Sequence, residues 1–161
     1  MPPVRALTRC LLLCLLFASN ITSAGEVTGQ VVRIHDGDTL TVLVPRQQIT
    51  LRLVDIDAPE RNQAFGTRSK QSLGEICAGK AVRVLGQGKD RYGRTLARVY
   101  CAGIDAQAEQ VRRGMAWVFE QYAPEDSPLY IVQSEARVAR RGLWQDARPV
   151  PPWKWRRTRS K

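Results

Sequence analysis

RLVDIDAPE, residues Arg52 to Glu60, is a short apolar run that closes on acids around a proline. Together with Thr50 and Leu51, the residues Leu53, Val54 and Ile56 have the character of a β-strand. Pro59 has no amide hydrogen with which to extend a ladder, so the strand must stop at or before Ala58. Asp57 and Glu60 then stand at a strand end in a rigid turn, with Arg52 upstream on the strand. One cation and two carboxylates at such a corner are groups that phosphate and metal chemistry use.

Two further charged stretches flank this one. HDGDT (His35 to Thr39) precedes it, and DRYGR (Asp90 to Arg94) follows. Alone, DGDT reads as a plain β-turn, Glu60 as an exposed loop acid, and Arg52 and Arg94 as surface arginines of a basic chain. Taken together and in this order, the three stretches resemble the staphylococcal-type thermonuclease family (staphylococcal nuclease homologues). Members of that family carry a DGDT turn, an R-x4-D-x-P-E corner and a D-[KR]-Y-G-R turn. The resemblance runs from about Val27 to about Trp144.

Oxygen donors without His or Cys select a hard ion, calcium or magnesium. The resemblance selects Ca2+ and implies Asp38, Asp57 and the backbone carbonyl of Ala58 as its ligands, with Asp36 as a nearby acid. Many family members have Thr at the Ala58 position. A carbonyl ligand tolerates the change. The resemblance also implies a catalytic set of Arg52, Glu60 and Arg94. The two arginines clamp phosphate and Glu60 orients or deprotonates the attacking water. Tyr92, Tyr122 and Arg91 are the implied contacts to base or sugar, Tyr122 being the weaker match. The implied activity is endonucleolytic cleavage of DNA and RNA that leaves 3′-phosphate ends. The rival reading is a non-catalytic OB-fold nucleic-acid-binding module, because degenerate relatives keep the barrel and lose the charged set. Here Asp38, Arg52, Asp57, Glu60 and Arg94 are all present, which favours the enzyme. A surface-adhesion protein would account for the charge but not for the motifs. His35, the one histidine, reads as a strand residue, and Asp55 receives no role.

The 161 residues suffice for one domain with a core, and 43% apolar with 25% charged residues is a globular composition. Residues 1–24 read as a secretory signal peptide: Arg5 and Arg9, then the apolar run Leu11 to Phe17, then small residues ending at Ala24. That run is too short to span a bilayer, so no stable membrane insertion is expected after cleavage. Cleavage removes two arginines and no acid, lowering the formal charge from +10 to +8. A small exported protein this basic is drawn to polyanions, and the charge alone does not choose among nucleic acid, anionic membrane and acidic polysaccharide. Periplasmic or secreted localisation and a monomeric state are expected. Cys77 and Cys101 remain, as one disulfide or as two buried thiols.

Strands are expected over Val27–His35, Thr39–Val44, Ile49–Ile56, Ala81–Leu85 and Tyr92–Cys101. Helices are expected over Thr67–Ala78 and Asp105–Arg113, and from Pro128 to Arg141. This order gives a mixed α+β fold, a five-stranded OB-type β-barrel with three packed helices, over residues 25–146. Residues 147–161, rich in Pro, Trp and Arg, are expected to form an irregular, partly packed basic tail. That tail would contact nucleic acid by charge and play no part in the chemistry.

Overall fold

The computed structural model describes residues 26–159. The expected signal segment lies outside the described residues. Five strands carry the barrel. β1 (Glu26–Ile34), β2 (Thr39–Val44) and β3 (Gln47–Leu53) form a meander. The two-residue strand β4 (Ile56–Asp57) and helix α1 (Gly66–Cys77) follow, then β5 (Ala81–Lys89) and β6 (Thr95–Cys101). β1 pairs with β5 and β5 with β6, both antiparallel. β6 then returns beside β3 in parallel, Arg52 opposite Leu96, and this pairing closes the barrel. Alternation fills it: Leu40, Val42, Leu51, Leu53, Val82, Val84, Ala97 and Val99 point inward and are buried.

The chain continues through β7 (Ile104–Asp105), α2 (Ala106–Arg112), β8 (Trp117–Val118), α3 (Leu129–Val138) and a 3-10 turn (Gly142–Gln145). Asp105 caps α2 by accepting from the Ala108 amide at 3.0 Å. Leu73 and Ile76 of α1, Val111 of α2 and Leu129 of α3 join the barrel core. A second apolar cluster forms from Trp117, Ala136, Leu143 and Trp144, with Phe65 and Trp153 packed against it. No helix among the described residues is long and apolar enough to cross a membrane.

Several boundaries differ from the sequence reading. The third strand does not run through to Ile56. It breaks at Val54–Asp55, where Asp55 has φ 64°, a left-handed turn made without glycine. β5 extends to Lys89 through an irregularity between Gly86 and Gly88, and β6 begins only at Thr95 because Asp90 to Gly93 form a tight turn. α3 stops at Val138, and Arg140 at φ 51° turns the chain away. The largest correction is the C-terminus. The segment read as irregular contains a fourth helix, α4 (Pro152–Arg159). Pro152 occupies the first helical position, where a missing amide costs nothing, and the amides of Lys154 and Trp155 both bond to the Pro151 carbonyl at 3.0 Å.

Cys77, ending α1, and Cys101, ending β6, are disulfide-bonded with Cα atoms 5.1 Å apart, and both are fully buried. The bond closes the loop that carries the DRYGR turn. Replacing both cysteines by serine should lower unfolding free energy by about 2–4 kcal/mol in urea melts. Thiol titration of the denatured, unreduced protein should find no free thiol from this pair.

Candidate active site

Each motif is first shaped by its own short-range bonds. In DGDT, Asp36 Oδ1 accepts from the Asp38 amide at 3.0 Å, and the His35 amide bonds to the Thr39 carbonyl at 2.9 Å. In DRYGR, Asp90 Oδ1 accepts from the Tyr92 and Arg94 amides at 2.9 and 3.0 Å. The barrel then brings the pieces together. Thr39 pairs with Arg52 across β2 and β3, and the Leu53 amide bonds to the Asp38 carbonyl at 2.8 Å. β4 pairs with β8, Asp57 opposite Trp117, which fixes the acid corner to the helical layer.

Arg52 lies at the centre. Its Nη2 sits 3.1 Å from Asp38 Oδ2 and 3.0 Å from Asp57 Oδ1, joining the two acids through one nitrogen. Its Nη1 donates to the carbonyls of Leu53 and Ile56. Asp38 and Asp57 are buried, 5% and 2% exposed. Asp38 Oδ2 accepts from the Ala58 amide at 2.6 Å, and Oδ1 accepts from the Thr39 hydroxyl at 3.1 Å. Arg94 approaches from the neighbouring turn. It donates to Asp90 Oδ2 at 2.7 Å and reaches Thr39 Oγ1 at 3.5 Å.

Backbone packing leaves no slack beneath these groups. A Cβ at Gly37 would lie 1.8 Å from Ser69 Oγ and 2.7 Å from the Ala58 Cβ. A Cβ at Gly66 would lie 1.9 Å from the Glu60 carbonyl oxygen. The buried Gln110 of α2 donates to the Gly37 carbonyl at 2.7 Å and to the Ser69 carbonyl at 3.1 Å, tying the DGDT turn to two helices.

Burial, against the opposing charge of Arg52, raises the Asp38 carboxyl from 3.8 to about 7, with Asp36 and Asp57 adding repulsion. Burial raises Asp57 as well, opposed by Arg156 and Arg52. Burial pushes Asp90 upward, but hydrogen bonds from the Arg94 side chain and from the Arg94 and Tyr92 backbone amides outweigh it and hold Asp90 below the ordinary carboxylate value.

The structure thus gathers Asp36, Asp38, Arg52, Asp57, Ala58 and Arg94 at one end of the barrel, with Glu60 on the adjoining turn. Tyr92 is exposed beside an open groove lined by Gln48, Thr50 and Arg94, with Arg91 over its ring at 5.0 Å. Tyr122 lies apart from Tyr92, edge-on to Phe119 at 4.9 Å on the side where α4 packs. His35, read as a strand residue, lies one residue past the end of β1 and bonds to Thr41 at 2.8 Å across the hairpin.

One site residue escaped the sequence reading. Arg156 of α4 places Nη2 2.8 Å from Asp57 Oδ2 and Nη1 3.2 Å from Asp57 Oδ1 and 2.7 Å from Glu60 Oε1. The tail, expected to be irregular and partly packed, thus reaches the acid corner from a helix. Ninety-nine residues separate Arg156 from Asp57, so no local pattern could announce the contact. The buried glutamines Gln107 and Gln110 also went unnoticed. Their signal was two amides, three apart, on the apolar face of α2.

Comparison with known proteins agrees with this geometry. The sequence model of the family described as Staphylococcal nuclease homologue matches residues 50–146. This chain belongs to that family. A protein called an uncharacterized endonuclease in Escherichia coli is 48% identical over 132 residues, covering 81% of this chain and 86% of the relative. A micrococcal nuclease of Shigella flexneri is 45% identical over 148 residues, covering 86% and 85%. An uncharacterized endonuclease of Haemophilus influenzae is 44% identical over 154 residues, covering 92% and 85%.

The donor chemistry at this nuclease-family corner fits a hard cation. Two carboxylates, Asp38 of the DGDT turn and Asp57 of β4, lie together here next to the backbone of Ala58, with no imidazole or thiolate in contact with them. Among the described residues no group of three or more His, Cys, Asp or Glu side chains is arranged to hold a metal, so such an ion depends on backbone, water or phosphate oxygens as well.

Asp38 holds its proton more tightly in the folded chain than in the unfolded one, so between about pH 4 and 7 the folded state binds more protons. This contribution to stability is full below the unfolded value and is lost as pH rises through about 7. In chelator, the Asp38 contribution should lower the melting temperature from about pH 5 to about pH 7.5, and Asp38→Asn should flatten that slope. A slope unchanged by the substitution would mean that Asp38 is already ionised across the range.

Proposed function

We propose that this protein is an exported, calcium-dependent endonuclease of the staphylococcal nuclease type, cutting DNA and RNA to leave 3′-phosphate ends. One observation carries the reading: Asp38 and Asp57, buried and joined by one nitrogen of Arg52, share the barrel end with Glu60 and Arg94. So dense a set of charges is hard to justify for stability, since burying carboxylates carries a desolvation cost. It suits a site that must hold a cation and a phosphate. The similarity to proteins named endonuclease and micrococcal nuclease supports the same activity.

Asp38, Asp57 and the Ala58 carbonyl would hold calcium, which when bound neutralises charge on the phosphate. Glu60 orients a water and accepts its proton as the water oxygen attacks phosphorus in line. The bond from phosphorus to the 5′ oxygen breaks, the phosphate stays on the 3′ side, and the departing 5′ oxygen takes a proton from solvent. Arg94 and Arg52 stabilise negative charge on the phosphoryl oxygens. Arg52 is turned inward onto Asp38 and Asp57, so its fork must share itself between them and the phosphate. Tyr92, Arg91 and Tyr122 offer exposed surfaces for base or sugar. Export is supported by the N-terminal basic-then-apolar pattern and by the Cys77–Cys101 bond, which suits an oxidising compartment. The chain acts as a monomer.

Purified protein incubated with DNA should cut with calcium, cut poorly with magnesium and not cut in chelator. Magnesium demands a tighter octahedron than this loose donor set offers. Asp38→Ala and Asp57→Ala should weaken calcium binding and cleavage together. Glu60→Gln and Arg94→Ala should each lose on the order of 10²-fold in rate. Cleavage that runs equally well in chelator would break the metal assignment. DNA bound but never cut under any metal would place the chain with the binding modules.

A further inference from the structure

The family-matched segment ends at residue 146, yet the acid corner is completed from beyond it. Three contacts fasten the C-terminal segment to that corner. Gln63 accepts from the Glu60 amide at 3.1 Å and donates to the Val150 carbonyl at 2.6 Å, linking the Glu60 turn to the start of the segment. Trp153 stacks on Phe119 at 5.2 Å and meets Trp117 edge-on at 5.8 Å, and Trp117 is the β8 residue paired with Asp57. Arg156, less than one helical turn after Trp153, then spans both oxygens of Asp57 and one of Glu60.

We propose that Arg156 is a positioning residue of the active site, fixing the Glu60 carboxylate relative to Asp57, with α4 as its mount. The proposal rests on the nuclease reading above. Pairing with Asp57, 2% exposed, offsets the cost of burying that acid, but stability does not explain the reach to Glu60, because an ion pair with side chains 44% and 42% exposed contributes little to folding. Geometry does. Glu60 sits on an exposed turn with a flexible side chain, and a base displaced by about 1 Å loses on the order of 10²-fold in rate. A guanidinium fork can hold two carboxylates in a fixed relation, which an ammonium cannot. Arg156 also faces Asp57, a proposed calcium ligand, so its charge competes with the ion. Removing it should leave calcium binding intact or tighter.

The test compares the purified protein with Arg156→Ala, Arg156→Lys and Trp153→Ala. At saturating calcium, Arg156→Ala should lower kcat by roughly tenfold or more with a smaller change in KM, and Arg156→Lys should recover part of the loss. Trp153→Ala, which loosens the mount, should fall between. Two readouts do not use activity. Calorimetry should show calcium still bound by Arg156→Ala. NMR order parameters of residues 59–63 should drop in that variant at temperatures well below its melting temperature. Turnover equal to or above the unaltered protein, or unchanged order in the Glu60 turn, would overturn the proposal and show that the guanidinium only covers Asp57. If the unaltered protein binds calcium yet never cuts, the nuclease reading fails. The order parameters then still decide whether Arg156 holds Glu60.

Discussion

Two buried carboxylates that share one guanidinium set the terms for this fold. Asp38 comes from the turn before β2 and Asp57 from β4, and each would repel the other and resist leaving water. Arg52 makes their proximity tolerable because its nitrogen lies about equally far from both. Much of the surrounding structure keeps that triangle in shape. The β2–β3 register puts Arg52 opposite Thr39, β4 and β8 clamp Asp57, and Gln110 reaches out of α2 to hold the DGDT turn. The residual imbalance appears as a proton affinity far above normal on Asp38. A divalent cation would relieve that imbalance as a proton does, and with more charge.

The helical layer serves the barrel end as much as the core. Trp117 is both a strand partner of Asp57 and the centre of an aromatic cluster with Trp144 and Trp153, at ring distances of 4.3 and 5.8 Å. Arg137 covers Trp144 at 4.4 Å. Rings in edge-on and stacked contact contribute beyond their buried area and fix orientation as well as distance. The acid corner is therefore braced from one side by hydrogen bonds of the barrel and from the other by aromatic packing that continues into α4.

What the sequence made legible was local. The three charged motifs are turns whose bonds close within five residues, such as Asp36 to Asp38 and Asp90 to Arg94, so their residue types alone specify them. Strand alternation likewise marked the five barrel strands, since Leu40 and Val42 or Leu51 and Leu53 repeat at period two. The failures were non-local or without a marker. Asp55 turns left-handed with no glycine to announce it, and β4 and β8 are too short to carry any pattern. The prolines at 149, 151 and 152 looked like interruptions, although Pro152 begins a helix. Arg156 was one cation among many until the fold carried it to Asp57 and Glu60.

The glycines beneath the site have a bearing on how relatives of this chain should be judged. Gly37 and Gly66 are small for want of space, not for an unusual backbone angle, because any side chain there would collide with Ser69 and Ala58 or with the carbonyl of Glu60. A lineage could keep every acid and arginine yet acquire a side chain at position 66. The Glu60 turn would then have to shift, and the charged signature would survive in a protein unable to assemble the corner. Inherited smallness at these two positions is thus a separate diagnostic of whether a homologue retains a working centre. It would be missed by any survey that scores charged residues alone.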